Sequence, residues 1–313
     1  MGKQDLRIVY MGTPEFAEYT LRVLVERDYN VVGVVTMPDK PAGRGKQIQS
    51  SPVKRYAESQ GITVLQPERL KDELFLEQLR SLRADLQIVV AFRMLPEVVW
   101  AMPPLGTFNL HASLLPQYRG AAPINWAIIN GDRQTGVTTF FLKHEIDTGD
   151  MILQEKIEIG EDEDAGSVHD RLMVLGADVV CRTIDAIIEG TVIATPQPAL
   201  SADEMRPAPK IFTETCRVDF NQTARKVHDF VRGLSPHPAA WCELELGNDR
   251  KTVKIFKTAI SEMPVHDEPI GSVSTDGKRF LRVRCSDRWL DLLELQLPSK
   301  RRMAIRDVLN GLR

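Results

Sequence analysis

Short apolar runs alternate with amphipathic segments along the first part of the chain. The runs have the length of strands and lie at residues 6–11, 31–36, 62–65, 86–92, 107–110 and 135–142. Segments with helical spacing separate them, at residues 16–27, 53–59, 72–82, 96–101, 123–130 and 167–189. Because strands that alternate with helices usually pack in parallel, the pattern predicts a doubly wound, mostly parallel α/β sheet of the Rossmann kind.

The pattern changes near residue 195. Residues 195–210 carry four prolines and predict a linker. After one predicted helix at residues 220–230, short apolar runs recur with turn sequences between them. Several short strands at this spacing predict a small C-terminal β-barrel, and the five-stranded oligonucleotide-binding (OB) kind is the natural candidate. We therefore expect two domains, residues 1–206 and residues 207–313.

The composition is that of an ordinary globular protein, with 43% hydrophobic and 27% charged residues among 313. The start does not resemble a signal peptide, and no apolar run approaches the roughly 20 residues of a membrane span. The four cysteines are scattered, without the spacing of disulfide or metal-ligand pairs. We expect reduced structural cysteines, no metal, no membrane partner and a cytoplasmic location.

Charge divides the two predicted domains. Residues 207–313 hold 19 Lys and Arg against 14 Asp and Glu, a net charge of +5, so a total of −3 leaves −8 for the first 206 residues. The basic second part favours a polyanionic partner, and a solvated surface of mixed charge is the alternative.

A basic stretch also interrupts the acidic first part. Residues 38–46 read PDKPAGRGK and carry Lys40, Arg44 and Lys46 with almost no apolar residue. Two interpretations are equally open from this composition. The stretch is either a disordered surface loop or a mobile loop that contacts phosphates and becomes ordered on binding.

Candidate chemistry lies at the end of the predicted strand at residues 107–110. Alternate side chains of a strand share a face, so Asn109 and His111 point to one side and their apolar neighbours to the other. An imidazole can shuttle protons near neutral pH, and an amide can donate to a developing oxyanion. The pair is compatible with an acyl-transfer site, although an Asn-x-His sequence on its own could merely satisfy turn hydrogen bonds.

Asp147 is the third candidate, because it follows the predicted strand at residues 135–142. A carboxylate in that position could hold an imidazole in its working tautomer and stabilise the imidazolium. Asp150 competes for this role, but a turn or cap role beside Gly149 fits it better. Gly12 resembles a fragment of a dinucleotide fingerprint whose other glycines are missing, so we expect no NAD site.

Taken together, these motifs resemble the methionyl-tRNA formyltransferase family over nearly the whole chain. The resemblance rests on GTPEF at 12–16, PAGRGK at 41–46, NLH at 109–111, SLLPQYRGAAP at 113–123, DTGD at 147–150 and APKI at 208–211. The Asn, His, SLLP and Asp elements are common to formyltransferases that use 10-formyl-tetrahydrofolate. PAGRGK and the barrel-like end point to the branch that modifies tRNA. AFRMLP at 91–96 departs from the Tyr-Gly pair frequent in relatives, which bears on folate contacts but not on the reaction.

The resemblance implies transfer of a formyl group from 10-formyl-tetrahydrofolate to the α-amine of methionine on initiator tRNA. It assigns oxyanion stabilisation to Asn109, proton transfer to His111 and orientation of the imidazole to Asp147. The implied folate-binding residues are Phe92, Arg93, Met94, Leu95, Ser113, Leu114, Leu115 and Pro116. The implied tRNA-binding residues are Lys40, Arg44, Lys46 and Lys210. The expected partners are therefore initiator methionyl-tRNA and formyl-folate, with no DNA.

Three alternatives remain open from the sequence. Another formyl-folate enzyme, acting on an amino-sugar nucleotide or other small amine, would share the catalytic trio but would not need a basic RNA loop. A folate-dependent hydrolase that releases formate would differ in the access of water to the formyl carbon. A non-enzymatic RNA-binding protein with a decayed first domain is disfavoured, because Asn109, His111 and Asp147 are all present.

Overall fold

The computed structural model describes residues 2–42, 47–145, 147–201, 203–246 and 249–311. The chain divides into two compact units. Unit 1 comprises Met1–Arg119, Gly136–Lys156 and Asp170–Arg206, and unit 2 comprises Gly120–Thr135, Ile157–His169 and Pro207–Arg313. The domain boundary expected between residues 206 and 207 stays a prediction.

Most of the predicted elements are present, with small shifts at their ends. The strands of the first part are β1 (Ile8–Gly12), β2 (Val31–Val35), β3 (Lys40–Ala42), β4 (Gln47–Gln49), β5 (Val64–Leu65), β6 (Leu86–Val90), β7 (Thr107–His111), β8 (Gln134–Phe141) and β9 (Met151–Glu158). The helices are α1 (Glu15–Glu26), α2 (Pro52–Ser59), α3 (Glu73–Ser81), α4 (Glu97–Trp100), α5 (Pro123–Ile129), α6 (Ala165–Glu189), α7 (Ala224–Leu234) and α8 (Ile305–Asn310). Among the described residues, no helix is both long enough and apolar enough to cross a membrane.

A seven-stranded sheet in the order β5-β2-β1-β6-β7-β8-β9 forms the centre of unit 1. Strands β5, β2, β1, β6 and β7 run parallel, and β8 runs antiparallel to β7. The predicted class, a mostly parallel α/β sheet, is therefore confirmed. The edge strand β9 was not predicted, because four of its last five residues are polar and interrupt its apolar pattern.

Gly12 lies in the turn from β1 to α1, where close packing requires a glycine. A Cβ at Gly12 would lie 2.6 Å from the Cβ of Ala17 and 2.9 Å from the carbonyl oxygen of Val90. Any larger residue would therefore separate α1 from the centre of the sheet. All five residues of β1 are buried, as expected for a central strand covered on both faces.

Residues 38–42 and 47–49 contain more regular structure than the sequence indicated. Strands β3 and β4 pair antiparallel, with Lys40 opposite Gln49. Asp39, just before β3, accepts hydrogen bonds from Lys54 Nζ at 2.6 Å and Gln66 Nε2 at 2.8 Å. The Ser51 side chain caps α2 by accepting from the backbone N–H of Lys54. The chain on both sides of this hairpin is thus fixed by side-chain hydrogen bonds.

Unit 2 is built on an antiparallel sheet. Its strands are β10 (Ala240–Leu246), β11 (Asp249–Ile260), β12 (Val273–Thr275), β13 (Leu281–Arg284), β14 (Trp289–Gln296) and β15 (Arg302–Ala304). The order is β10-β11-β14-β13-β12, and β15 pairs with β14. The expected second, smaller β unit is confirmed, with six strands among the described residues where five were expected. Helix α7 begins at Ala224, later than predicted, because the Thr223 side chain caps it.

Candidate active site

The carboxyl ends of three adjacent parallel strands meet at one edge of the unit 1 sheet. These strands are β1, β6 and β7. Asn109 and His111 belong to the end of β7, and residues 91–96 follow β6 directly. Ligands of doubly wound sheets bind beyond this edge, so the two motifs found in the sequence lie where the fold favours a site.

The imidazole of His111 is buried and has two defined neighbours. Its Nε2 lies 2.8 Å from the carbonyl oxygen of Tyr118. Because a carbonyl only accepts, Nε2 carries a hydrogen and donates it. On the other side of the ring, Nδ1 lies 3.9 Å from Oδ2 of Asp147. Nδ1 is therefore the ring nitrogen that can take up and release a proton, and it is the one nearest a carboxylate.

The 3.9 Å between Nδ1 and Oδ2 is longer than a charge-assisted hydrogen bond. At this separation the Asp147 carboxylate can attract a protonated imidazole, but it does not fix the ring. The shorter contact, from Nε2 to the Tyr118 carbonyl, sets the ring orientation. Tyr118 was not singled out in the sequence, and its backbone carbonyl leaves no signal there.

The route of the chain to Asp147 is indirect. Phe141 ends β8 and pairs with Phe108, three residues before His111 on β7. Since β8 is antiparallel to β7 and ends away from His111, the chain must turn back after β8 to bring Asp147 near the ring. Asp147 has a φ of 54°, in the left-handed region that few residues other than glycine adopt.

Asn109 shares its face of β7 with His111, as the alternation predicts. It is half-buried, and in the described part of the chain its side-chain amide makes no hydrogen bond. The amide hydrogens are thus available to a ligand oxygen. This arrangement suits a donor to an oxyanion, provided that the reacting carbon lies between Asn109 and His111.

The loop after β7 is held by one hydroxyl group. Thr138 Oγ1 donates to the carbonyl of Ser113 at 2.7 Å and accepts from the N–H of Leu115 at 3.2 Å. Gln154 Nε2 donates to the same hydroxyl at 2.9 Å and to the Leu115 carbonyl at 3.0 Å. Ser113, Leu115 and Pro116 are buried, whereas Leu114 is half-buried. Neither Thr138 nor Gln154 was predicted, because an isolated Thr or Gln in a strand carries no local signal.

The loop after β6 divides the predicted folate residues into two kinds. The Arg93 guanidinium donates to the carbonyl of Glu68 at 2.9 Å and also to that of Pro67, and burial lowers the pKa of Arg93. Leu95 packs into the core of unit 1. Phe92 is half-buried, and Met94 is exposed. Phe92 and Met94 are therefore the side chains of this loop best placed to contact a ligand.

The residues expected to bind tRNA are only partly placed. Lys40 is exposed on β3. Arg44 and Lys46 lie outside the described residues. Lys210, in unit 2, is exposed, and its Nζ lies 5.4 Å from the ring centroid of Phe212, itself more than half exposed. No group of three or more His, Cys, Asp or Glu side chains in the described ranges is arranged to hold a metal ion.

Comparison with known proteins establishes the family. A model described as "Formyl transferase" matches residues 6–184, and one described as "Formyl transferase, C-terminal domain" matches residues 210–313. A methionyl-tRNA formyltransferase from Bacteroides fragilis is 61% identical over 99% of this chain and 96% of its own length. One from Parabacteroides distasonis is 60% identical over 99% of this chain and 97% of its own. The chain belongs to the methionyl-tRNA formyltransferase family. The resemblance inferred from the motifs is thereby confirmed.

A solved structure agrees with this assignment at the level of the fold. WlaRD, a sugar 3N-formyl transferase crystallised in the presence of dTDP and 5-N-formyl-THF, superposes with a TM-score of 0.66. The match covers 96% of this chain and 100% of that chain, at 16% identity. This chain and a sugar N-formyltransferase thus share a fold, so the fold alone does not determine the acceptor.

Proposed function

We propose that this protein transfers the formyl group of 10-formyl-tetrahydrofolate to the α-amine of methionine on initiator methionyl-tRNA, giving N-formylmethionyl-tRNA. The identity of about 60% over the full length to methionyl-tRNA formyltransferases carries the proposal. The geometry of Asn109, His111 and Asp147 supports the chemistry, and these three residues are the proposed catalytic group. In this proposal residues 1–206 carry out catalysis and contact the acceptor end of the tRNA, and residues 207–313 form a second tRNA-binding domain.

His111 acts on the proton of the reaction. The methionine amine forms a bond to the formyl carbon, and His111 Nδ1 takes a proton from that amine. The same nitrogen then returns a proton to the folate nitrogen as its bond to the formyl carbon breaks, so the enzyme regains its starting state. Proton transfer by a positioned imidazole contributes roughly 10²–10⁴-fold to the rate.

Two groups stabilise the charges that develop. The Asn109 amide donates to the formyl oxygen while that oxygen carries negative charge; losing such a donor costs roughly 3 kcal/mol of transition-state stabilisation. Asp147 stabilises the imidazolium formed when Nδ1 is protonated. The Tyr118 carbonyl keeps the ring turned so that Nδ1, and not Nε2, faces the reacting groups.

The folate fits the edge of the sheet beside Asn109. Phe92 and Met94 offer an apolar surface on one side, and the backbone of residues 113–116 lines the other. Arg93, Leu95, Ser113, Leu115 and Pro116 shape these loops from within, and the half-buried Leu114 packs beside Gly136 of β8. No metal takes part in the proposed mechanism.

The acceptor tRNA is proposed to bind through phosphate contacts. Lys40, Arg44 and Lys46 would contact the acceptor end, and Lys210 would contribute from the start of the second family domain. Phosphate contacts make affinity fall steeply with salt. We place the protein in the cytoplasm, with no DNA partner.

One assay tests the proposal. Purified protein is given formyl donor and either methionyl-initiator tRNA or a dTDP-amino sugar, and the formylated product is measured. We expect the methionyl-tRNA to be formylated and the sugar not to be, and His111→Ala should abolish the reaction. Formylation of the sugar without the tRNA would instead support the small-amine alternative.

A further inference from the structure

Gln197 and Arg206, which lie in the stretch that the sequence predicts to be a linker, make hydrogen bonds to the two loops that flank His111. The start of this segment is fixed to β9, since the backbone groups of Thr195 and Met151 exchange hydrogen bonds at 2.8 and 2.9 Å. Prolines at 196 and 198 limit the backbone freedom on either side of Gln197. The segment therefore presents Gln197 from a restrained backbone.

The side-chain amide of Gln197 uses all four of its hydrogen-bonding positions. Its Nε2 donates to the carbonyl oxygens of Asp147 at 2.7 Å and Gly149 at 2.9 Å. Its Oε1 accepts from Nε and Nη2 of Arg119, at 3.2 and 2.6 Å. Because carbonyls only accept and a guanidinium only donates, these partners define which way the amide faces.

The turn that Gln197 holds is unfavourable on its own. Asp147 has a φ of 54°. Gly149 packs so closely on β8 that a Cβ there would lie 1.6 Å from the carbonyl oxygen of Phe141. A non-glycine residue in the left-handed region needs surrounding contacts to keep it there. The two donors of Gln197 supply such contacts to the carbonyls on both sides of Thr148.

The same segment also contacts the other neighbour of the imidazole. The carbonyl of Arg206 accepts from the N–H of Tyr118 at 2.7 Å. The Tyr118 carbonyl in turn accepts from Nε2 of His111. Residues 195–206 are thus bonded to the residue at each nitrogen of the ring: to Tyr118 at Nε2, and to Asp147 at Nδ1.

We propose that Gln197 is a positioning residue for formyl transfer, which holds the Asp147 carboxylate beside Nδ1 of His111. Arg119 supports it by fixing the direction of the amide. The kinetic part of this inference rests on the proposed function. A displacement of about 1 Å in a reacting group can cost about 100-fold in rate, so the loss should appear in kcat.

The first test compares Gln197→Leu with Gln134→Leu. Gln134 is a suitable control because its amide donates to the side chain of exposed Glu158. Gln197→Leu should lower kcat by about 10–100-fold with unchanged KM for both substrates. The control should match wild type. Normal kcat in Gln197→Leu would overturn the proposal.

A double-mutant cycle separates positioning from a general structural effect. If Gln197 acts through Asp147, Gln197→Leu should cause no further loss of kcat in an Asp147→Ala background, because coupled residues are not additive. A second loss of full size would show that Gln197 acts elsewhere and would overturn the proposal. Should Gln197→Leu fail to fold, Gln197→Glu is the replacement variant, since it keeps the bond to Arg119 but places an oxygen against the two carbonyls.

A spectroscopic readout makes the test independent of activity. The ring resonances of His111, seen by NMR of protein with ¹⁵N-labelled histidine, should shift in Gln197→Leu and stay unchanged in Gln134→Leu. Unchanged resonances in both variants would overturn the positioning role even if wild type formylates methionyl-tRNA. Conversely, a wild-type protein without that activity would refute the proposed function while the His111 resonances still report on Gln197.

Discussion

His111 and Thr138 are register partners across β7 and β8. The residue proposed to move the proton and the residue that anchors the following loop therefore lie side by side. The Thr138 hydroxyl is fully buried and has partners on three sides, namely Ser113, Leu115 and Gln154. A single hydroxyl on β8, beside the catalytic strand β7, thus anchors the loop proposed to bind the folate.

Thr138→Val should preserve shape but remove all three hydrogen bonds. The buried N–H of Leu115 would then lack this acceptor and the Ser113 carbonyl this donor, which costs roughly 1–3 kcal/mol. We expect a lower free energy of unfolding by urea denaturation and a higher KM for formyl-folate. Thr20→Val is the control, because Thr20 is also fully buried but lies on α1, where its hydroxyl donates to the Phe16 carbonyl. An unchanged folate KM in Thr138→Val would mean that the hydrogen bonds of Thr138 do not contribute to folate binding.

Asn109→Ala should lower kcat without affecting stability. Its amide makes no hydrogen bond within the described ranges, so its loss leaves no protein group unsatisfied. Removal of an oxyanion donor typically lowers kcat by about 10²–10³-fold. Steady-state kinetics and thermal unfolding measured on the same preparation provide the test. Wild-type kcat would remove Asn109 from the catalytic group, and a large fall in melting temperature would indicate a structural role.

The alternation of polar and apolar residues was sufficient to place Asn109 and His111 on β7, but it could not place Asp147. Alternation along a strand places Asn109 and His111 on one face, and this needs no knowledge of distant residues. Asp147 was chosen because it follows a strand, yet β8 ends opposite Phe108 and the chain has to turn back. The contact with His111 thus depends on tertiary contacts, such as the hydrogen bonds that Gln197 donates to the carbonyls of Asp147 and Gly149.

The missed elements have similar causes. In β10, residues 240, 242, 244 and 246 are buried, and the residues between them are more exposed. The sequence therefore contains the alternation of a strand. Because Glu243 and Glu245 interrupt the run, it does not stand out as an apolar segment. The predicted helix at 220–230 began too early because Phe220 matches the helical spacing, whereas Thr223 caps the helix that forms. Capping chemistry, more than apolar spacing, sets this boundary.

Substitution of Met94 should affect folate binding, whereas substitution of Arg93 should affect stability. Met94 is 74% exposed, so Met94→Ser should leave stability unchanged and raise the KM for formyl-folate. Arg93 is bonded to two carbonyls of the segment after β5, so Arg93→Ala should lower the melting temperature. Measurement of the folate KM and of thermal unfolding for both variants distinguishes a ligand contact from a structural role. Equal effects of both variants on folate KM would mean that Arg93 also contacts the ligand.

Two buried thiols should make unit 2 less stable at high pH. Burial raises the pKa of Cys242 and of Cys285 from 9.0 to about 12. Above pH 9 the unfolded chain loses thiol protons that the native state retains, so the free energy of unfolding falls as pH rises toward 12. Urea denaturation between pH 8 and pH 10.5 should show this decline, and Cys242→Ala should make it shallower. An identical slope in that variant would assign the decline to other groups. At pH 8, neither native thiol should react readily with a disulfide reagent.

Asp39 and Lys54 should matter for tRNA but not for folate. Their 2.6 Å ion pair holds the chain just before β3, and the hydrogen bond from Lys54 lowers the pKa of the Asp39 carboxyl. Since this pKa is depressed, the contact is present above the ordinary pKa of an Asp and is lost only as pH falls through the lowered value, so it is complete at pH 7.

Asp39→Asn keeps the acceptor for Gln66 and removes the ion pair. Because loss of the ion pair leaves the chain before β3 less firmly held, the KM for methionyl-tRNA should rise while the folate KM stays constant. Glu58→Gln removes the weaker partner of Lys54, at 3.8 Å, and serves as the control. An equal rise in both variants would indicate a general charge effect, and no rise in Asp39→Asn would mean that tRNA binding does not depend on a fixed hairpin.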